Sequence, residues 1–257
     1  MGHTLIYESK DRVSYIHFNR ADRYNAMNKE MLEELLQTIE KVEQSEDAIV
    51  ILSGEGNAFS AGGDISMMKD SATKENFNEI MDIIGKVALK LYTLNKIVIS
   101  AIHGSAAGLG LSIALTADFV IAQEDAKLGM LFIGIGLAPD GGGHFLLKER
   151  LGTQQAKQFI WGRKQVDGVK AKKMGLVDIV TEERVLTHAI KLANQLLSTP
   201  LAAMLATKSI YHSRQKDELK YYIEEEKQAQ WSLKNTEDHQ EGVQAFLDKR
   251  EPVFQGK

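Results

Sequence analysis

Two glycine-rich segments of this chain are suited to aim backbone N–H groups at a single atom. The first is Phe59-Ser60-Ala61-Gly62-Gly63-Asp64-Ile65, and the second is His103-Gly104-Ser105-Ala106-Ala107-Gly108-Leu109-Gly110-Leu111. Each follows a β-branched run, Ala48–Leu52 before the first and Ile97–Ile102 before the second. A strand that ends in small residues lets the backbone come close to a ligand. Two converging N–H groups are what an oxyanion hole requires. A third segment, Ile135-Gly136-Leu137-Ala138-Pro139-Asp140-Gly141-Gly142-Gly143, adds Asp140, the only carboxylate between Asp125 and Glu149. Apolar surroundings raise a carboxyl pKa toward the range useful for moving protons. The competing role for Asp140 is as N-cap of a helix that begins in the glycines after it.

Two further stretches join these three, Asn19-Arg20-Ala21-Asp22-Arg23-Tyr24-Asn25-Ala26-Met27 and the tail Ala245-Phe246-Leu247-Asp248-Lys249-Arg250-Glu251-Pro252-Val253-Phe254. In this order, and spread over nearly the whole chain, the five resemble the enoyl-CoA hydratase/isomerase (crotonase) superfamily. Ala21 departs from that family's pattern, which has proline there. The resemblance implies an α/β fold with a crotonase-like ββα superhelix core over residues 1–199. A C-terminal helical trimerisation region would follow over 200–257. It also implies an acyl-CoA thioester substrate, with CoA as part of the substrate and no separate cofactor or metal. The oxyanion donors would be the N–H groups of Gly63 and Leu109. Ala26, Ala61, Asp64 and Ile65 would line the CoA path, and Phe246 and Lys249 would help hold its nucleotide part.

One departure bears on the reaction. Hydratases of the family carry two glutamates, and the matching positions here are Ser112 and Phe132. Adding water to a 2-enoyl thioester needs a water activated and a proton delivered, work that suits paired carboxylates. Asp140 is the carboxyl that remains. A single carboxyl suffices to carry a proton from C2 to C4 of an allylic thioester, so double-bond isomerisation is the leading expectation. Hydration of 2-enoyl-CoA is the alternative, and a CoA-thioester-binding paralogue without turnover is the second alternative.

The elements that must position these residues follow from periodicity. Val13–Phe18 alternates as a strand does. Asn28 is placed to cap a helix running to about Ser45, with Met31, Leu35, Ile39 and Val42 on one face. Strands are expected at Ala48–Ser53, Ile97–Ile102, Phe119–Ala122 and Leu176–Val180. Helices are expected near 74–95, at 108–116, from Gly141 to Leu151, near 153–161 and 167–174, and at 182–197. Beyond Pro200 only helices are expected, at 201–232 and 236–249. Alternating strands and helices indicate α/β layers; periodicity alone leaves a doubly wound sheet open as well.

Composition excludes other classes. Of 257 residues, 44% are hydrophobic and 26% charged, with a net charge of −4, so a basic nucleic-acid surface is not expected. The absence of cysteine removes disulfides, thiolate nucleophiles and thiolate metal ligands. Neither G-x-G-x-x-G, nor a P-loop, nor the G-x-S-x-G of a serine hydrolase occurs. The apolar stretch Ile97–Ala122 is long enough for a membrane span. Its His103, Thr116 and Asp118 instead indicate a buried strand–turn–helix–strand. His103 reads as a turn residue and His144 as a helix-face residue one turn from Asp140. The run Glu224-Glu225-Glu226-Lys227 reads as a solvated helix face. A cytoplasmic homotrimer or dimer of trimers, without membrane or nucleic-acid partners, is the expected setting.

Overall fold

The computed structural model describes residues 3–65, 67 and 73–257. A six-stranded sheet forms its centre, in the order β1-β2-β3-β4-β6-β9. The strands are β1 Leu5–Lys10, β2 Val13–Phe18, β3 Ile49–Gly54, β4 Ile97–Ile102, β6 Phe119–Gln123 and β9 Ile179–Thr181. β1 pairs antiparallel with β2, and every later pair is parallel. A small second sheet joins β5 Ser105–Ala107, β7 Lys127–Gly129 and β8 Val166–Asp167.

The continuous apolar runs of β3 and β4 reflect burial on both faces, as in parallel sheets. Successive side chains point to opposite sides. Val50, Leu52, Val98 and Ile102 face a core shared with α1 (Lys29–Gln44), α2 (Lys74–Thr93) and α3 (Leu109–Leu115). Ile49, Ile51, Ile97, Ile99 and Ala101 face α7 (Val185–Leu197) through Val185, Ala189, Ala193 and Leu196. Asn28 caps α1 as expected, its side chain accepting from the Met31 N–H.

The remaining helices are α4 (Gly143–Leu151), α5 (Thr153–Trp161), α6 (Gly168–Met174), α8 (Leu201–Lys234) and α9 (Glu237–Leu247). The α/β architecture and the strand-free region after Pro200 match the expectation. The differences lie in short or exposed strands. β1, β5, β7 and β8 escape the periodicity. β1 buries only Leu5, so it has no alternating apolar face to read. β5, β7 and β8 span two or three residues each. The last strand starts at Ile179 rather than Leu176, because Leu176 and Val177 enter the core from a turn.

α8 packs along α2 and meets α4, and α9 packs against a 3-10 turn at Phe132–Ile135. Both C-terminal helices therefore return to the region that carries the third segment of interest. Among the described residues, no helix is long and apolar enough to cross a membrane.

Candidate active site

Backbone hydrogen bonds join the two glycine segments. Phe59 N–H donates to His103 O at 2.9 Å, Ser60 N–H to Ser105 O at 2.9 Å, and Ala107 N–H to Ser60 O at 3.0 Å. Gly62 lies at φ +100, and a Cβ there would sit 2.6 Å from Ala107 O and 3.4 Å from Leu109 N. Only glycine allows this approach. Gly62 and Asp64 then bridge to Met27: Met27 N–H donates to Gly62 O at 2.7 Å, and Asp64 N–H donates to Met27 O at 2.9 Å. The Gly63 N–H between them lies outside that bridge. Leu109 is the first residue of α3, where a backbone N–H has no partner within its own helix. Both Gly63 and Leu109 line a single cavity of about 410 Å³.

The Asn19–Met27 stretch supports this arrangement from beneath. Asn25 is fully buried, and its Nδ2 donates to Glu55 O at 2.9 Å and Ala58 O at 2.7 Å. Its Oδ1 accepts from Arg20 N–H at 2.8 Å, and its carbonyl accepts from Ser60 Oγ at 2.8 Å. The Ser60 hydroxyl also accepts from Gly62 N–H at 3.1 Å. It is spent on the loop, which accords with the absence of a serine-nucleophile motif. Arg20 pairs with Asp64 at 2.8 Å and donates to Ala26 O, tying this stretch to the end of the first glycine segment.

Asp140 lines the same cavity and is 8% exposed. Its Oδ1 has no hydrogen-bond partner among the described residues. Its Oδ2 lies 3.5 Å from Gln230 Nε2, which also donates to Ala138 O at 2.5 Å. Burial, and then the negative charge of Glu226, hold its pKa well above the ordinary carboxylate value. The capping role is corrected here. The cap position of α4 is Gly142, two residues later, and no side chain of its own caps the helix. The open N–H groups of that end are taken by Glu226, from Gly142 N at 2.7 Å and His144 N at 2.9 Å.

Glu226 also corrects the reading of Glu224–Lys227 as a solvated face: Glu224 and Glu225 are exposed, but Glu226 is only 3% exposed. His144, expected on a helix face, turns its Nδ1 to Glu226 at 2.8 Å. His103 contacts Gly56 O at 3.1 Å, and burial lowers its pKa, in keeping with a turn residue.

The remaining expected contacts divide. Ala61, Asp64, Ile65, Phe132 and Phe246 line the cavity. Ala26, Ser112 and Lys249 do not. Ser112 is fully buried beneath the third segment, its Oγ donating to Asp140 O at 2.7 Å. Lys249 is exposed beyond the end of α9. Residues that the motifs did not single out complete the walls: Phe77, Ile80, Met81 and Ile84 from α2, Gln230 and Lys234 from α8, and His239 from α9. The helical period of α2 carried a signal for the first group. In α8 the buried positions are Leu219, Glu226 and Gln230, spaced seven and four apart on one face. Two of those three are polar, which hid the stripe. Among the described residues, no group of three or more His, Asp or Glu side chains is placed to hold a metal ion.

The family model for enoyl-CoA hydratase/isomerase matches residues 8–257. YhaR of Bacillus subtilis (strain 168), whose name reads enoyl-CoA hydratase/isomerase without choosing between the two, is 48% identical over 249 residues. The alignment covers 97% of this chain and 98% of that protein. A 1,2-epoxyphenylacetyl-CoA isomerase of Escherichia coli (strain K12) is 33% identical over 93% of each chain. The crystal structure of an enoyl-CoA hydratase from Mycobacterium avium subsp. paratuberculosis K-10 superposes with a TM-score of 0.89, at 28% identity and 98% coverage of both chains.

Proposed function

The chain belongs to the enoyl-CoA hydratase/isomerase family, and we propose that within it the protein isomerises the double bond of an enoyl-CoA thioester, using Asp140 as its acid and base. The observation that carries this reading is the Oδ1 of a buried Asp140, without a hydrogen-bond partner among the described residues, in a cavity also lined by Gly63 and Leu109. The thioester oxygen sits between the Gly63 and Leu109 N–H groups. Ionised Asp140 removes a proton from C2 of a 3-enoyl thioester. The electron pair moves through the allylic system and leaves a dienolate whose oxygen carries the charge, stabilised by the two N–H donors. Asp140, now protonated, returns the proton at C4, and the product is the 2-enoyl thioester. Apolar walls from α2 exclude water from the dienolate, and they suit an uncharged acyl chain.

Hydration is disfavoured by the positions where family hydratases carry glutamates. Ser112 is covered by the Asp140 segment. Phe132 offers no proton-transfer group, and its ring stands 3.5 Å from where a Cβ on Gly108 would lie. The test is to offer purified protein 3-enoyl-CoA and 2-enoyl-CoA separately and identify the products. Isomerisation of the first without hydration of the second is expected. Formation of 3-hydroxyacyl-CoA at a comparable rate would favour the hydratase alternative, and no turnover of either would favour a binding protein. As a second test, Leu109→Pro removes one donor at a helix position where proline is tolerated. It should cost about 3–4 kcal/mol of transition-state stabilisation beyond any loss in Leu109→Ala. Equal turnover in the two variants would remove Leu109 from the oxyanion site.

A further inference from the structure

Glu226 is a buried ionisable group that this chemistry leaves unused. Its Oε2 accepts from Gly142 N–H at 2.7 Å, and its Oε1 accepts from His144 N–H at 2.9 Å and lies 2.8 Å from His144 Nδ1. Its oxygens are thus filled by the first turn of α4, and it does not line the cavity. One turn further along α8, Gln230 holds Ala138 O and reaches toward Asp140. A single helix therefore grips the Asp140 segment on both sides, Gln230 before the carboxyl and Glu226 after it.

A cap supplied locally is barred, because Gly142 lies at φ +77 and a Cβ there would come within 2.6 Å of Leu219. The open N–H groups must be met from elsewhere. A neutral amide at 226 offers one acceptor oxygen, enough for one of the two N–H groups that the carboxylate meets with both of its oxygens. A carboxylate adds a favourable interaction with the helix dipole and a negative charge beside Asp140. Building on the role assigned to Asp140, we propose that Glu226 is a positioning residue: it clamps the turn that carries Asp140 and sets the electrostatic field at its carboxyl.

Among the described residues, other charged or titratable groups meet Glu226 or line the cavity. His144 meets Glu226 from α4. Lys234 and His239 line the cavity from the C-terminal helices, and Arg163 from the loop after α5. Asp64 also lines it and is paired with Arg20. On α8 itself, Lys227 is engaged by Asp82 at 2.6 Å. The charge that opposes Asp140 ionisation is that of Glu226.

The experiment is a pH profile of 3-enoyl-CoA isomerisation for wild type, Glu226→Gln and Glu226→Asp, with folding checked by circular dichroism. Glu226→Gln removes the charge, so the rising limb of kcat/KM should move to lower pH. Glu226→Asp keeps the charge on a shorter arm. Its limb should stay in place while kcat falls by up to about 10²-fold, the cost of a small misplacement. A Gln variant that loses the same factor at every pH, with its limb unmoved, would overturn the proposal. So would loss of the fold in both variants, which would make Glu226 a folding residue alone. Asp140→Asn separates the two readings. If it keeps wild-type turnover, the role of Asp140 fails; if it abolishes turnover and the Gln variant leaves the limb unmoved, only the role of Glu226 fails.

Discussion

At Asp140, the features that favour proton transfer cost stability once the carboxyl ionises. Folding raises its pKa through burial and the Glu226 charge, so the folded protein holds that proton more tightly than the unfolded chain does. The resulting stabilisation is complete below the unfolded carboxyl's value and is lost as pH rises through the folded one. Asp140→Asn carries no charge to bury. Its melting temperature should therefore gain on wild type as pH climbs through that window, as measured by thermal denaturation at several pH values. A gap that stays constant with pH would mean that the carboxyl is not strained by its site. Catalysis has the opposite demand, since the proton acceptor must be ionised; turnover should rise with pH through the same window. The sequence made Asp140 legible because it stands alone among apolar neighbours. It concealed Glu226, whose place in an acidic run matched a solvated face and whose burial depends on a contact 84 residues away.

At the scale of elements, the site depends on two strand ends meeting. Gly62→Ala should force the first glycine segment away from Ala107 O, since the added Cβ would lie 2.6 Å from it at a φ that non-glycine residues rarely adopt. We expect a stability loss of at least about 1 kcal/mol, measured by denaturant unfolding, together with a fall in kcat. Gly63→Ala is the control, because a Cβ there meets only the end of the Met67 side chain at 3.4 Å. Equal stability losses in the two would contradict the account of the junction. Both glycine segments and their preceding strands were readable from small residues after β-branched runs. The small sheet of β5, β7 and β8 was not, because two- and three-residue strands carry no period. Ser112, expected against the substrate, lies on α3 facing the backbone of the Asp140 segment rather than the cavity.

At the scale of the whole molecule, α8 and α9 help build their own chain's cavity through Gln230, Lys234, His239 and Phe246. The family resemblance assigned most of this region to assembly, and a strand-free tail by itself says nothing about which face turns inward. α8 also leaves Ile210, Tyr211 and Tyr221 more than 60% exposed. We propose that this surface serves the expected trimer or dimer of trimers, and light scattering should return a mass of three or six chains; a monomer at micromolar concentration would contradict it. The functional claim rests on one carboxyl, and Asp140→Asn tests it most directly. Wild type and variant should be incubated with 3-enoyl-CoA and the 2-enoyl product quantified. Loss of about 10²–10⁴-fold in rate, with the fold intact, is the expected result. Isomerisation at the wild-type rate by the Asn variant would contradict it.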